Sequence, residues 1–414
     1  MIASNERPLL WTGFMATLSG IGLARFAYTA LMPQMVQAQW FSGQQVAYLG
    51  AANLLGYLMG ALAAAPLADR LGAVRVLIAC WAAVALSFVA CSQPWFAPSL
   101  SFDWFFAWRC IAGIAGAILM VLGPSLAMAA AAPQRRPLLG PLMFCGIGCG
   151  ALLSATLVPL IGSWSLSAVW WSLAISASIA GWLGLRQAQR LAMLTAPLAP
   201  ITPASQTSSA ANAPPGLTTG LWTTAVLLLF LGYMCDAFGY VPHTVFWVDY
   251  LAREQQLGAT YASAQWAIFG LGALLGPLAV ALAATRWGWW AACTGTYATK
   301  TVGVALPLFW ASFSGHALSS LLVGALSPGL SAVTSGYLMQ LVGATRHKRM
   351  WGYATAAFAL MQALAGYWMA WIYAQLGAYQ PLFVMGAMAL ICGTALIASS
   401  RFGSQLSIVH RKLS

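Results

Sequence analysis

Long unbroken apolar runs separated by short polar breaks dominate this chain. The runs lie near 10–36, 44–67, 73–92, 103–131, 139–161, 165–186, 218–248, 260–284, 289–312, 316–342, 352–376 and 379–400. Each is about 20 residues or longer, the length a helix needs to cross a hydrocarbon core of ~30 Å. In lipid a single segment satisfies its own backbone hydrogen bonds only as a helix. The pattern therefore predicts an all-α chain with about twelve membrane-spanning helices.

The polar breaks alternate in charge. Arg70 and Arg75 follow the second run, Arg135 and Arg136 the fourth, and Arg186 and Arg190 the sixth. Arg286 follows the eighth, and Arg346, His347, Lys348 and Arg349 the tenth; Arg401, Arg411 and Lys412 end the chain. The opposite breaks offer only Arg253, balanced by Asp249 and Glu254. Cytoplasmic loops carry the excess of Lys and Arg, so both termini are expected in the cytoplasm, in a bacterial inner membrane. Tryptophans such as Trp95, Trp104, Trp108, Trp164, Trp287, Trp289 and Trp290 fall at run ends, as an aromatic belt requires.

Composition narrows the class. The chain is 61% hydrophobic and 6% charged, against about a quarter charged in a soluble domain. The net charge of +12 would suggest nucleic acid in a soluble protein; here topology accounts for it, and no nucleic-acid partner is expected. The start, with Glu6 and Arg7 leading straight into a full span, predicts no cleavable leader. Cys80, Cys91, Cys110, Cys145, Cys149, Cys235, Cys293 and Cys392 all lie in or beside apolar runs without a Cys-x-x-Cys pair, and read as small hydrophobes. Neither a metal site nor a cofactor is expected.

One hydrophilic stretch, from Arg186 to Gly220, is rich in Pro, Ser, Thr and Ala and reads as a linker. The expected organisation is a six-helix half over 1–187, a linker over 188–217, a second six-helix half over 218–402 and a tail over 403–414. The halves repeat one another. Ala68-Asp69-Arg70-Leu71-Gly72 closes the second run and Ala284-Thr285-Arg286-Trp287-Gly288 the eighth. The loop from Arg135 to Gly140 matches that from His347 to Gly352 in position and charge. Phe26-Ala27-Tyr28 in the first run answers Phe238-Gly239-Tyr240 in the seventh, with Arg25 just before one and Asp236 just before the other. Six-helix repeats about a linker are one plan for alternating access.

Several of these motifs resemble the major facilitator superfamily. Pro66 to Arg75 resembles its signature loop after the second helix. Arg109-Cys110-Ile111-Ala112-Gly113-Ile114-Ala115-Gly116 resembles its fourth-helix motif. Gly22 to Tyr28 and Gly50 to Leu62 look like the YbfB/YjiJ-type branch. The resemblance implies two pseudo-symmetric six-helix halves. It also implies a cytoplasmic gate at Asp69, Arg70, Gly72 and Arg75, latched when the cytoplasmic side is closed. The bland reading of those charges is topology plus a surface ion pair.

Arg25 and Asp236 carry the main functional expectation. An arginine at mid-membrane costs roughly 3 kcal/mol on insertion scales and usually faces water or a partner. The expected partner is Asp236, in a pair that opens and closes to load and release a proton. The competing reading is a permanent structural pair. Tyr28 and Tyr240, one turn beyond, are candidate substrate donors or packing residues. Arg109 is either a snorkelling arginine paired with Asp103 or a cavity base, and the resemblance favours the second. His243, after Pro242, is a proton-relay candidate or a helix-end histidine. Lys300 is a candidate anion site; since the ninth helix is usually peripheral in the resembled fold, snorkelling or packing is preferred. Gln362 and Gln265 are further mid-span cavity candidates.

The fifth run, Gly140 to Gly150, opens on Gly140-Pro141 but lacks the Gly-Pro followed by paired Gly that marks many drug/proton antiporters in the superfamily. Arg25, Arg109 and Lys300 outnumber Asp236 within the spans, so an anionic substrate is favoured. The resulting expectation is a monomeric proton-coupled carrier of a small organic anion, most simply a carboxylate. The alternative is an efflux carrier for apolar or cationic compounds. No nucleotide loop, metal cluster or nucleophile triad supports an enzyme. A receptor that keeps the carrier fold is the remaining reading.

Overall fold

The computed structural model describes residues 6–195 and 222–413. Among the described residues the chain is a bundle of twelve long helices. These are α1 (Arg7–Gln37), α2 (Gly43–Leu71), α3 (Ala73–Ala90), α4 (Pro98–Ala130), α5 (Arg136–Gly162) and α6 (Leu166–Thr195), followed by α7 (Thr224–Glu254), α8 (Gly258–Trp287), α9 (Trp289–Phe309), α10 (Phe313–Val342), α11 (Ala344–Leu376) and α12 (Gln380–Leu413). Eleven of them are long and apolar enough to cross a membrane. The twelfth, α9, carries Lys300 among Thr294, Thr296, Thr299 and Thr301. Helix α6 runs on to Thr195, past the expected linker start at 188; the linker residues 196–217 lie outside the described residues.

Small residues set the helix spacing. Without a hydrophobic drive between helices in lipid, close backbone approach is what packs them. A methyl on Gly56 or Gly60 of α2 would collide with the α4 backbone at Cys110 or Ile114. In the last six helices Gly272 and Gly276 of α8 meet the α10 backbone at Leu321 and Ala325 in the same way. The repeat thus extends to the contact that positions each helix pair. It extends to the turns as well. Gly72 and Gly288 end α2 and α8 at φ of 87° and 80°, a region that favours glycine, and donate to Ala68 and Ala284 at 2.9 and 3.0 Å.

The first six and last six helices meet where α5 packs along α8 and α2 along α11. Gly148 and Gly270 face each other across the first seam. Helices α1 and α7 close the centre, and both are broken. In α1 a π-helical turn, Leu18–Leu23, gives way at Ala24 and Arg25 to a second helical piece, Phe26–Gln37. Small residues Ser19, Gly20 and Gly22 hold the first helix weakly there. In α7 the break follows Gly239, and a π-helical turn, Pro242–Phe246, takes over. Pro242 lacks the N–H that would continue the ladder. Breaks in the two pseudo-equivalent central helices place irregular backbone at the centre of the bundle, which lipid tolerates only when it is buried in protein or lines a cavity.

Candidate functional site

Arg25 stands at the α1 break and is buried, 6% exposed. Its Nη1 donates to Gln362 Oε1 on α11 at 3.2 Å, and Tyr240 of α7 donates its hydroxyl to the same oxygen. The guanidinium lies over the Tyr240 ring, 5.1 Å from its centroid, and 5.9 Å from that of Phe26. Accepting two donors fixes the Gln362 amide with its oxygen toward Arg25. Arg25 Nε, Arg25 Nη2 and Gln362 Nε2 are then buried donors without a hydrogen-bond partner among the described residues. Buried donors left unmade cost about 1–3 kcal/mol each, more when charged.

Asp236 does not pair with Arg25. Its Oδ1 accepts from Lys300 Nζ at 2.6 Å, with both side chains almost wholly buried. Lys300, expected to be peripheral, is at the centre: α9 turns Thr296 and Lys300 inward and brings the ammonium to 5.0 Å from the Tyr240 ring centroid. The Tyr240 ring therefore sits against both cations. Lys300 holds Asp236, and Arg25 keeps an uncompensated charge. The sequence missed this exchange of partners because a lysine and an acid 64 residues apart leave no local pattern.

The other candidates divide. Arg109 is buried, and its Nε has no hydrogen-bond partner among the described residues. Its Nη1 donates to Ala24 O at 2.9 Å and its guanidinium covers the Tyr28 ring at 4.1 Å. Asn53 Nδ2 also reaches Ala24 O, at 3.4 Å, and Arg109 O, at 3.2 Å. The cause is the break: the Tyr28 N–H bonds to Arg25 O, so the Ala24 carbonyl is freed for side chains. Arg109 thus braces the bend that presents Arg25. Tyr28 donates to Val46 O at 2.8 Å and is committed to packing, unlike Tyr240. His243 lies fully buried on α7 beside Ser319, and Gln265 accepts from Ser320 at 3.4 Å.

Asp69, Arg70 and Arg75 are exposed, and Asp69 makes no ion pair among the described residues. Arg70, Gly72 and Arg75 line a surface cavity of about 580 Å³ with Leu126 and Ala192. At the other end of the bundle, the outer end in the expected orientation, the two groups of helices touch. Gln44 of α2 donates to Ala374 O of α11 at 2.9 Å, and Thr29 of α1 to Thr244 O of α7 at 2.6 Å.

Sequence reading missed a second polar cluster at that end. Asp249 is fully buried and accepts from Arg253 and from the Tyr379 hydroxyl; Arg253 also donates to the Tyr373 hydroxyl at 3.1 Å. Glu254 accepts the backbone N–H of Tyr379 and of Gln380. Read as loop charges, these residues in fact close the outer end of α7 against α11 and α12. The i, i+4 spacing of Asp249 and Arg253 was the available signal for a helical pair.

A bundle with broken first and seventh helices around a buried charged cluster defines a class, the polytopic secondary-transporter architecture. The chain belongs to the major facilitator superfamily, in the family described as "Uncharacterised MFS-type transporter YbfB", which matches residues 17–398. The branch read from Gly22–Tyr28 and Gly50–Leu62 is the one found. This is a family of transporters, not enzymes. The chain is 27% identical over 304 residues to the 4-hydroxybenzoate transporter PcaK of Pseudomonas aeruginosa, covering 68% of this chain and 66% of that protein. It is 35% identical over 159 residues to the 3-(3-hydroxy-phenyl)propionate transporter of Escherichia coli, covering 37% and 38%. Each match thus spans less than two thirds of the relative's length. The D-xylose-proton symporter shares the fold, with a TM-score of 0.69 at 18% identity over 94% of this chain and 96% of that one.

Proposed function

We propose that this protein is a secondary active transporter that moves a small organic anion, most simply an aromatic carboxylate, together with protons by alternating access. The observation that carries the reading is the unpaired Arg25 guanidinium, buried beside the free Gln362 amide donor and the Tyr240 ring. A planar guanidinium with two free N–H directions suits a carboxylate, and the neighbouring rings suit an aromatic body. The transport of hydroxylated aromatic acids by the two relatives supports the same class. Asp236 and Lys300 are the proposed coupling pair. A proton on Asp236 would release Lys300 beside Tyr240 and so couple the acid to the anion site. Surplus positive charge at the centre argues against a cationic cargo. The contacts between α2 and α11 and between α1 and α7, together with the exposed Asp69, support the reading of a state closed outside and open to the cytoplasm. The proposed setting is a bacterial inner membrane, with both termini cytoplasmic and the protein a monomer.

The test is uptake of radiolabelled 4-hydroxybenzoate and benzoate into proteoliposomes under an imposed pH gradient. Accumulation that needs a proton gradient, abolished by Arg25→Ala, supports the reading. Wild-type uptake by Arg25→Ala removes that residue from the site, and accumulation unaltered in Asp236→Asn removes the coupling role of the acid.

A further inference from the structure

The hydrogen bonds around His243 determine which of its nitrogens is free. Ser319 donates its one hydroxyl proton to the Gly303 carbonyl, at 2.7 Å. Its oxygen, 2.8 Å from His243 Nε2, is then available only as an acceptor. His243 must therefore carry its proton on Nε2. Nδ1 is left with a bare lone pair, and it has no hydrogen-bond partner among the described residues. The ring is fully buried and cannot turn over freely: it stacks on Trp247 at 4.6 Å and meets the edge of Phe383 at 5.1 Å. A neutral imidazole held in one tautomer with an unoccupied acceptor is a group built to receive a proton.

Its position suits a step between the outer side and the coupling pair. His243 is seven residues beyond Asp236 on α7, roughly 10 Å outward at helical rise. Gly303, which anchors Ser319, is one turn outward of Lys300 on α9, about 4.5 Å. The titratable groups facing His243 are Lys300 from α9 and His316 from α10, with Asp236 on its own helix and Arg25 on α1 beyond Tyr240. His316 is buried in the first turn of α10, its Nδ1 2.8 Å from the Tyr261 hydroxyl, and its ring makes a T-shaped contact with Trp247 at 5.7 Å. Trp247 thus touches both imidazole rings.

We propose that His243 Nδ1 is the proton carrier between the outer side and Asp236. In the state open outward, Nδ1 takes a proton from hydronium, which returns to water, and the ring becomes an imidazolium held by its Nε2–H bond to Ser319. The imidazolium then gives the Nδ1 proton, through water, to the Asp236 carboxylate. Histidine returns to its neutral Nε2–H tautomer, Asp236 becomes a neutral acid, and Lys300 loses its ion-pair partner. The net change is one proton passed from hydronium to the Asp236 carboxylate, with no heavy-atom bond made or broken. This rests on the proton-coupled reading above.

The test uses full-length protein in proteoliposomes, with 4-hydroxybenzoate as probe, and the same protein with 15N-labelled imidazoles for NMR. His243→Gln keeps a donor toward Ser319 and cannot be protonated. It should lower gradient-driven accumulation at least tenfold and leave exchange of internal for external probe within about twofold of wild type. Ser319→Ala, which frees the tautomer, should lower accumulation less. In the NMR spectrum one of the chain's 4 histidines should show a protonated Nε2 and a bare Nδ1 at neutral pH. That signal should be absent from His243→Gln, should protonate at Nδ1 on acidification, and should titrate differently in Asp236→Asn. Wild-type accumulation by His243→Gln, or an Nδ1-protonated His243 at neutral pH, overturns the carrier role. If the wild type neither accumulates nor exchanges the probe, the substrate assignment fails instead. The spectrum then decides on His243 alone, the coupled titration supporting the role and an Nδ1 that never titrates ending it. If His243→Gln does not fold, His243→Asn identifies the signal instead, and the wild-type and Asp236→Asn spectra are the deciding measurement.

Discussion

At the residue scale, the charged groups at mid-depth do different work according to whether they are paired. Arg25 shares one hydrogen bond with a neutral amide and keeps its charge available. Truncating a buried, hydrogen-bonded charge that meets an opposite charge typically costs about 2–5 kcal/mol of binding. Arg25→Ala should therefore weaken carboxylate binding by well over tenfold in a calorimetric titration. Arg25→Lys should recover little of it, because a point charge cannot present two parallel donors. The Asp236–Lys300 pair makes the opposite prediction. Removing one partner strands a buried charge, and Lys300→Met alone should destabilise the protein by roughly 3–5 kcal/mol. Adding Asp236→Asn to that variant should restore most of its thermal stability while leaving it unable to couple protons. A double variant no more stable than Lys300→Met would show that the pair does not act as a unit. That Arg25 and Asp236 belonged to the centre was legible from the repeat around Phe26–Tyr28 and Phe238–Tyr240. Their partners were not, because Gln362 and Lys300 come from helices with no sequence relation to either motif.

At the element scale, the breaks in α1 and α7 are what turn two spanning helices into a site. Their locations were half visible: Gly20, Gly22 and Pro242 mark weak helix, yet the apolar runs continue through them. The π-helical turns arise from tertiary packing that no local pattern reports. Gly20 is pressed against the Gly116 carbonyl of α4, and Gly22 against Gly150 of α5. Arg109 belongs to this scale, since it holds the Ala24 carbonyl that the α1 break leaves exposed. Its sequence motif was recognisable, but the motif alone did not distinguish a cavity base from a brace. Arg109→Ala should lower thermal stability and slow transport. A calorimetric titration should find substrate affinity reduced far less than in Arg25→Ala. An equal loss of affinity in the two variants would place Arg109 on the substrate after all.

At the scale of the whole molecule, the end expected to face outward is shut by contacts that the charge pattern had assigned to topology. A methyl placed on Gly43 at the start of α2 would lie 2.9 Å from the Tyr373 hydroxyl and 3.1 Å from Arg253 Nη2. The Asp249–Arg253–Tyr379 cluster on the last six helices therefore closes against a helix start that has no side chain. At the other end Asp69 is exposed, and on the inward-open reading proposed above the two ends stand in opposite conditions. Contacts present in one state and absent in the other bias the equilibrium between them by their differential free energy. Gly43→Leu wedges the outer end and leaves the cytoplasmic end untouched, so it should enrich the outward-open population. Spin labels at Gln44→Cys and Ala374→Cys, positions that meet in the closed outer end, read this directly. Their distance distribution should be short in the parent protein and gain a longer component with Gly43→Leu. Arg253→Ala should act in the same direction, since it removes the group that Asp249, Tyr373 and Tyr379 share. Asp69→Asn should act in the reverse direction, because the latch that the superfamily motif implies at Asp69 belongs to the state closed on the cytoplasmic side. If Gly43→Leu and Asp69→Asn moved the outer distance the same way, the two ends would not alternate, and the cluster at Asp249 would be a static clamp.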